Sequence, residues 1–167
     1  MNAGGGDEAV AQQAAAGGPA QATPAPTPAQ RHVIIVGFGL AGRAAVNNVI
    51  EQGVSYTVIE SNREVVTRCL PGGLHIIQGD AREPIVLRLA GIARATDVAV
   101  TIPDDRAALA VVDQARQINP TARIIARCTF VSEGLEASRR GADETVIAEQ
   151  VVATEFGRVV LAALERA

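Results

Sequence analysis

The order of events between His32 and Glu60 restricts this chain more than any other feature. An apolar run, His32-Val-Ile-Ile-Val36, passes without a gap into Gly37-Phe-Gly-Leu-Ala-Gly42. Residues 43–52 then place Ala44, Val46, Val49 and Ile50 at helical spacing, and Gly53 supplies the stop. Ser55-Tyr-Thr-Val-Ile59 is rich in β-branched residues, and Glu60 closes it 18 positions after Gly42. A lone Gly-x-Gly-x-x-Gly is a weak signal; between a strand and a helix, with an acid ending the next strand, it is a dinucleotide-binding fingerprint. Each part has a physical task. Gly37 permits the tight turn, Gly39 removes a side chain that would block a pyrophosphate, and Gly42 lets helix and strand approach. The amides of Leu40, Ala41 and Gly42 at the helix start are expected to point at phosphate oxygens, with the helix dipole adding to the attraction. Glu60 is expected to accept hydrogen bonds from ribose hydroxyls and to repel a 2′-phosphate, which favours NAD(H) over NADP(H).

The same alternation continues along the chain. Residues 63–70 read as a helix closed by Pro71-Gly-Gly73, and 75–77 as a third strand. A helix over 83–90 carries Pro84 in its first turn, where the missing N–H costs little. Strands are expected over 97–102, 122–126 and 145–147, and helices over 105–118, 132–140 and 149–165. Strands alternating with helices mean right-handed crossovers. The fold class is therefore α/β: a doubly wound, mostly parallel six-stranded Rossmann-type sheet with helices on both faces. The scarcity of aromatics (Phe38, Tyr56, Phe130 and Phe156 are the set) and the wealth of Val, Ile, Leu and Ala suit such a core.

Three segments follow: a tail over residues 1–30, the Rossmann-type domain over 31–148, and an amphipathic C-terminal helix over 149–167. The tail is almost all Ala, Gly, Gln, Pro and Thr and has little to bury, so it reads as disordered. A net charge of −3 gives no bulk attraction to nucleic acid. No run of about 18 apolar residues offers direct insertion into a membrane, and no signal peptide opens the chain. Cys69 and Cys128 have neither a disulfide-motif nor a metal spacing and read as packing residues in a reducing, cytoplasmic setting. His32 and His75 occupy strand positions and read as packed or edge residues.

In open parallel sheets, ligands sit outside the C-terminal ends of the strands. Gly79, Asp80 and Ala81 after the third strand, Thr101, Ile102, Pro103 and Asp104 after the fourth, and Arg127 and Cys128 after the fifth are therefore candidates. Asp80 has two readings: an acceptor for the adenine amino group beside the Ala81 backbone, or a cap for the helix near Glu83. Arg127 reads as a phosphate contact, a partner for an acid across an interface, or a surface cation. Asp104 and Asp105 read as helix N-caps. The full candidate set is Gly37, Phe38, Gly39, Leu40, Ala41, Gly42, Glu60, Ser61, Gly79, Asp80, Ala81, Thr101, Ile102 and Arg127, with no catalytic and no metal-ligating residue among them.

Val33-Ile-Ile-Val-Gly-Phe-Gly-Leu-Ala-Gly42, Thr57-Val-Ile-Glu60 and Ile77-Gln-Gly-Asp-Ala81 together resemble the RCK N-terminal domain, the regulator of potassium conductance found in Trk, Ktr and Kef systems. Arg123-Ile-Ile-Ala-Arg127 and Gly141-Ala-Asp-Glu-Thr-Val-Ile147 extend the resemblance over nearly everything after the tail. It implies binding of NAD(H), ATP, ADP or AMP, a ribose contact for Glu60 and an adenine contact for Asp80 and Ala81. It also implies a homodimer whose ligand-driven movement controls a membrane potassium channel, transporter or cation/proton antiporter at the inner membrane. Two departures stand out. Many family members have Arg at the second variable position of the turn, where this chain has Leu40, and Arg43 lies one step past the last glycine. The chain also ends at Ala167 without the ligand-sensing domain many relatives carry, which implies action on a separate membrane protein or a fragment.

In the last helix, Val152, Phe156, Val159, Val160, Ala163 and Leu164 share one face. That face either packs on its own sheet or, as the resemblance implies, is exchanged between protomers. An NAD-dependent oxidoreductase fragment is the competing function. It lacks a substrate domain after the sixth strand, and the chain has no Lys, so no Tyr-x-x-x-Lys pair exists.

Overall fold

The computed structural model describes Thr27 and residues 30–166. The expected disordered tail, residues 1–30, falls outside the described residues except for Thr27 and Gln30. Six strands alternate with six helices: β1 (His32–Val36), α1 (Leu40–Glu51), β2 (Ser55–Glu60), α2 (Arg63–Cys69), β3 (Ile76–Gln78), α3 (Pro84–Leu89), β4 (Asp97–Val100), α4 (Asp105–Ile118), β5 (Arg123–Cys128), α5 (Val131–Arg139), β6 (Glu144–Ile147) and α6 (Ala148–Leu164). All pairings are parallel and the spatial order is β3-β2-β1-β4-β5-β6. The chain thus reverses its direction of travel across the sheet between β1 and β4. Connections there leave to opposite faces, and a crevice opens at the carboxyl ends of these two strands.

Strand alternation divides the interior into two cores. Ile34, Val36, Ile59, Val98, Val100, Ile124 and Ala126 face α3, α4 and α5, meeting Leu87, Val111, Val112 and Ala137. Ile35, Val58 and Ile76 face α1 and α2, meeting Val46 and Val66. Ile34, Leu87 and Val112 are fully buried, and each such side chain contributes about 1.5–3 kcal/mol.

The buried polar residues His32, Asp97 and Asn119 are all paired. Asp97 accepts from Arg123 Nε (3.0 Å) and the Thr96 hydroxyl (2.8 Å). Asn119 donates to the carbonyls of Ile92 and Ala95 and accepts from the Thr121 and Ala122 amides. His32 packs between β1 and the turn after α3, with Nε2 3.0 Å from the Ala90 carbonyl and Nδ1 2.9 Å from Ser55 Oγ. A carbonyl can only accept, so Nε2 carries the proton and Nδ1 accepts from the hydroxyl. The Gly141-Ala-Asp stretch also has a structural task. Gly141, at φ +108°, turns its carbonyl to Arg116, and Asp143 accepts from Arg116 Nη2 (2.7 Å) and the Ile124 amide (2.6 Å).

Two of the element boundaries that differ from expectation lie at the glycine turn and at β4, beside the crevice. Helix α1 begins at Leu40 rather than residue 43. Its first turn is exposed apart from Gly42, so hydrophobic spacing carried no sign of it. Strand β4 ends at Val100 rather than Ile102, although the Thr101 amide still donates to the Val36 carbonyl (2.9 Å). Helix α6 follows β6 directly and buries none of its residues. Packing on its own sheet is therefore not what the chain does.

Candidate functional site

A cleft of about 560 Å³ occupies the crevice, within the range typical of small-molecule sites. Its floor is apolar, made by Val36, Ile59 and Val111, and its rim is polar. Four segments meet there: the glycine turn after β1, Glu60–Asn62 after β2, Gly79–Arg82 after β3, and Thr101–Asp104 after β4.

Backbone bonds hold these ends together. Gly37 N donates to the Ile59 carbonyl (2.8 Å) and Gly79 N to the Glu60 carbonyl (3.0 Å). The Thr101 hydroxyl donates to the carbonyls of Val36 (2.8 Å) and Gly37 (3.1 Å). The Glu60 carboxylate bridges two segments, one oxygen accepting from Phe38 N and the other from Asn62 N, each at 2.8 Å. The oxygen that meets Asn62 also accepts from the Ser61 hydroxyl (3.5 Å), and the one that meets Phe38 retains a second lone pair for another donor.

The three glycines of the turn differ in why they are glycine. Gly37 sits at φ +94°, and a Cβ there would meet Ile102 Cγ2 at 2.8 Å. A Cβ on Gly42 would lie 2.0 Å from the Gly37 carbonyl oxygen. Both are required by the fold. Gly39 has φ −73° and ψ −162°, open to any residue, and a Cβ there would meet nothing within 4 Å. It lines the cleft, so the space a side chain would take there is cleft space.

Gly39 is also the N-cap of α1 and offers no capping side chain, and no acid stands in the first turn. The first helical bond runs from Arg43 N to the Gly39 carbonyl (3.0 Å). The amides of Leu40, Ala41 and Gly42 precede it and so have no intrahelical acceptor. Arg43 lines the cleft, its guanidinium 5.4 Å from the centre of the Phe38 ring and its Nε donating to the Phe38 carbonyl (3.2 Å). A cation thus stands over the turn although Leu40, not an Arg, holds the turn's second variable position.

Of the candidate residues, Gly37, Phe38, Gly39, Glu60, Ser61, Gly79, Asp80, Ala81, Thr101 and Ile102 line the cleft. Four do not. Leu40 is 90% exposed, on the outer side of the helix start. Ala41 and Gly42 bring only their backbone to the turn. Arg127 stands a strand further along the sheet, on β5 opposite Val146, with its Nη1 buried among protein atoms; the sheet order puts β4 between it and the glycine turn.

Asp80 does not cap α3, whose N-cap is Glu83. Its carboxylate accepts instead from the Arg82 amide (2.9 Å) and guanidinium (Nη2 at 2.5 Å), which holds it below the usual carboxylate range. Asp104 caps α4 by accepting from Ala107 N (2.9 Å), as expected. Asp105 does not act as a cap; it accepts from Thr129 N (2.8 Å) and ties β5 to α4. Pro103 and Asp104 line the cleft as the strand-end reading expected, and so do Arg82, Asn62 and Ala107, which it did not name. Only their proximity in sequence to the strand ends hinted at them.

Against known proteins, the TrkA-N domain family matches residues 33–148. The chain is 30% identical over 134 residues to the proposed cation/proton antiporter YbaL of Escherichia coli, covering 80% of this chain and 23% of that protein. It is 30% identical over 112 residues to the glutathione-regulated potassium-efflux system protein KefC of Cronobacter sakazakii, covering 67% of this chain and 18% of that protein. It therefore spans less than a quarter of the length of these relatives. Among solved structures, the TrkA-N domain of the E. coli inner membrane protein ybaL superposes with a TM-score of 0.73 at 28% identity, over 77% of this chain and 96% of that one. GsuK bound to ADP superposes at 0.70 with 27% identity, over 80% of this chain and 34% of that one. The GsuK channel bound to NAD superposes at 0.71 with 27% identity, over 82% and 24%.

Proposed function

This chain belongs to the TrkA-N domain family, and from that premise we propose that it is a regulatory domain whose cleft takes an adenine nucleotide or NAD(H) and whose response controls a cation-transporting membrane protein. The observation that carries this reading is Gly39. Neither its dihedral angles nor its neighbours require glycine, yet a side chain there would fill the rim of the cleft beside the start of α1. Uncapped amides and Arg43 suit phosphate oxygens, Glu60 suits a ribose, and Asp80 with the Ala81 backbone suits an adenine above the apolar floor. Relatives captured with ADP and with NAD support the ligand class.

The partner follows from the relatives that carry such a domain, a cation/proton antiporter, a potassium-efflux system and a channel. It is a membrane transport protein of that kind, in the same polypeptide or another, reached from the cytoplasmic side. No described helix is long and apolar enough to cross a membrane. Ligand must favour one arrangement of the assembly over another, or nothing reaches the partner. The second protomer is the natural carrier of such a change. Helix α6 leaves Val152, Phe156, Val160 and Leu164 exposed, and α5 leaves Val131 and Leu135 exposed; a patch of this kind marks an interface. We assign the segments accordingly, 31–148 to the ligand and 149–167 to dimerisation.

A non-catalytic role fits the cleft. Its described lining holds no His, Cys, Tyr or Lys to move a proton, and both Glu60 oxygens already bind backbone amides. The test is a thermal-shift panel of NAD⁺, NADH, NADPH, ATP, ADP and AMP. A ligand at a hundred times its Kd stabilises the folded state by about 2.7 kcal/mol. The expected result is stabilisation by NAD(H) or adenine nucleotides, less by NADPH, and no consumption of any. A well-folded sample that none of the six stabilises overturns the reading.

A further inference from the structure

Resting on the nucleotide reading of the cleft, we infer that Arg82 is a specificity residue that, with Asp80, reads two adjacent atoms of the adenine edge. Asp80 does not enter the cleft as a bare carboxylate. Its Oδ1 accepts from the Arg82 amide (2.9 Å) and from Arg82 Nε (3.0 Å). Its Oδ2 accepts from Nε (2.9 Å) and Nη2 (2.5 Å). The guanidinium therefore lies edge-on to the carboxylate, and both residues line the cleft.

The hydrogen-bond inventory of this pair is limited. A carboxylate has about four lone-pair sites, and a guanidinium five N–H groups. The Arg82 amide, Nε and Nη2 give three hydrogens to the carboxylate, the Nε hydrogen being shared between Oδ1 and Oδ2, so one acceptor site of Asp80 remains. With Nε and one Nη2 hydrogen engaged, the second Nη2 hydrogen and both Nη1 hydrogens remain. The pair thus presents one carboxylate acceptor next to unused donors on the guanidinium. Adenine carries the complement: an amino donor at C6 flanked by the acceptor nitrogens N1 and N7. A 6-oxo purine offers an acceptor where the carboxylate needs a donor. A planar guanidinium held by two contacts is also better placed for such reading than a lone flexible cation. The alternative is that Arg82 only competes with the base for Asp80. The two roles have opposite signs, since a reader strengthens adenine binding and a competitor weakens it.

The experiment is a calorimetric cycle on the full chain with ADP, 1-deaza-ADP and 7-deaza-ADP, using wild type and Arg82→Met. Arg82 is more than half exposed, so this variant is expected to keep the wild-type melting temperature. The expected result is that Arg82→Met binds ADP about tenfold more weakly, the scale of one charge-assisted hydrogen bond. One deaza analogue binds wild type weaker by a similar factor, yet binds Arg82→Met no worse than ADP does. Equal or tighter ADP binding by Arg82→Met overturns the inference and leaves the nucleotide site standing. So does a deaza penalty that is the same in both proteins. Absence of ADP binding to the wild type overturns the inference together with the reading beneath it.

Discussion

The two ends of this sheet are finished differently. Around β1, β2 and β4 the strand ends are tied to one another through Gly37, Glu60, Gly79 and Thr101, and the cleft between them has a buried floor and a polar rim. Beyond β5 the order stops at the edge of the molecule. Val146 and nearly the whole of α6 are exposed, and most of the exposed large hydrophobic side chains follow Thr129. The first region is built before anything binds, as a small ligand requires. The second leaves apolar surface that this chain does not cover, as a protein partner requires. Sensing and transmission are thus assigned to opposite sides of one sheet, with β4 and β5 between them.

The largest effect that would break this comparison comes from the turn itself. Gly42→Ala puts a Cβ 2.0 Å from the Gly37 carbonyl oxygen, and the repacking costs about 3 kcal/mol or more. Gly39→Val, three residues away, should keep the wild-type denaturation midpoint while abolishing stabilisation by nucleotide. Urea unfolding of both variants, with and without ADP, checks the pair; loss of the fold in Gly39→Val would remove the distinction on which the site rests.

Next in size is the exposed edge. Truncation after Gln150, or Phe156→Glu, should convert a dimer to monomer in sedimentation, since each buried Phe contributes about 1.5–3 kcal/mol per copy. Nucleotide stabilisation of the remaining monomer should persist, because no α6 residue lines the cleft. An unchanged sedimentation coefficient argues against α6 as the interface.

Glu60→Gln should weaken NAD⁺ by about 1–3 kcal/mol, the scale for a hydrogen bond to a charged group, as read by calorimetry. It should also narrow the gap between NAD⁺ and its 2′-phosphorylated form. If the gap stays, Glu60 serves only to hold Phe38 and Asn62.

The smallest effect lies at the far end of β1. Burial, with Arg94 adding to it, keeps the His32 imidazole below its ordinary value of about 6.5, against the pull of the Ala90 carbonyl. The unfolded chain then binds this proton more readily than the folded one. Stability is therefore full above pH 6.5 or so and declines as pH falls through that value. Urea midpoints from pH 8 to 5 should show this slope in wild type and lose part of it in His32→Gln.

How much was legible in the sequence follows the same division. The six strands and the glycine turn could be read because burial imposes a period, and backbone clashes impose Gly37 and Gly42. The helix start at Leu40 could not, since its exposed first turn carries no hydrophobic signal. Asp80 was found as a strand-end acid, but not its engagement by Arg82, because sequence separation says nothing of where a long side chain turns. Arg127 was expected just after the fifth strand because that strand was read as ending at Ala126; it lies within β5, with β4 between it and the turn, which only the sheet order shows. Arg43 was under-read, because its reach back over Phe38 depends on the side-chain path rather than its place in the motif. Gly39 is the residue whose functional reading needed both levels: the sequence marks it as glycine, and the structure shows neither crowding nor a left-handed backbone that would demand it.

The central claim is that the cleft at the crossover of β1 and β4 is where the nucleotide goes. Titration of uniformly ¹⁵N-labelled protein with ADP, followed by amide chemical shifts, tests it residue by residue. The account predicts that the largest changes cluster at Gly37–Arg43, Glu60–Asn62, Gly79–Arg82 and Thr101–Asp104, with smaller ones toward α6. Saturable changes centred on β5, β6 or the N-terminal ends of the strands, with the glycine turn silent, would contradict it.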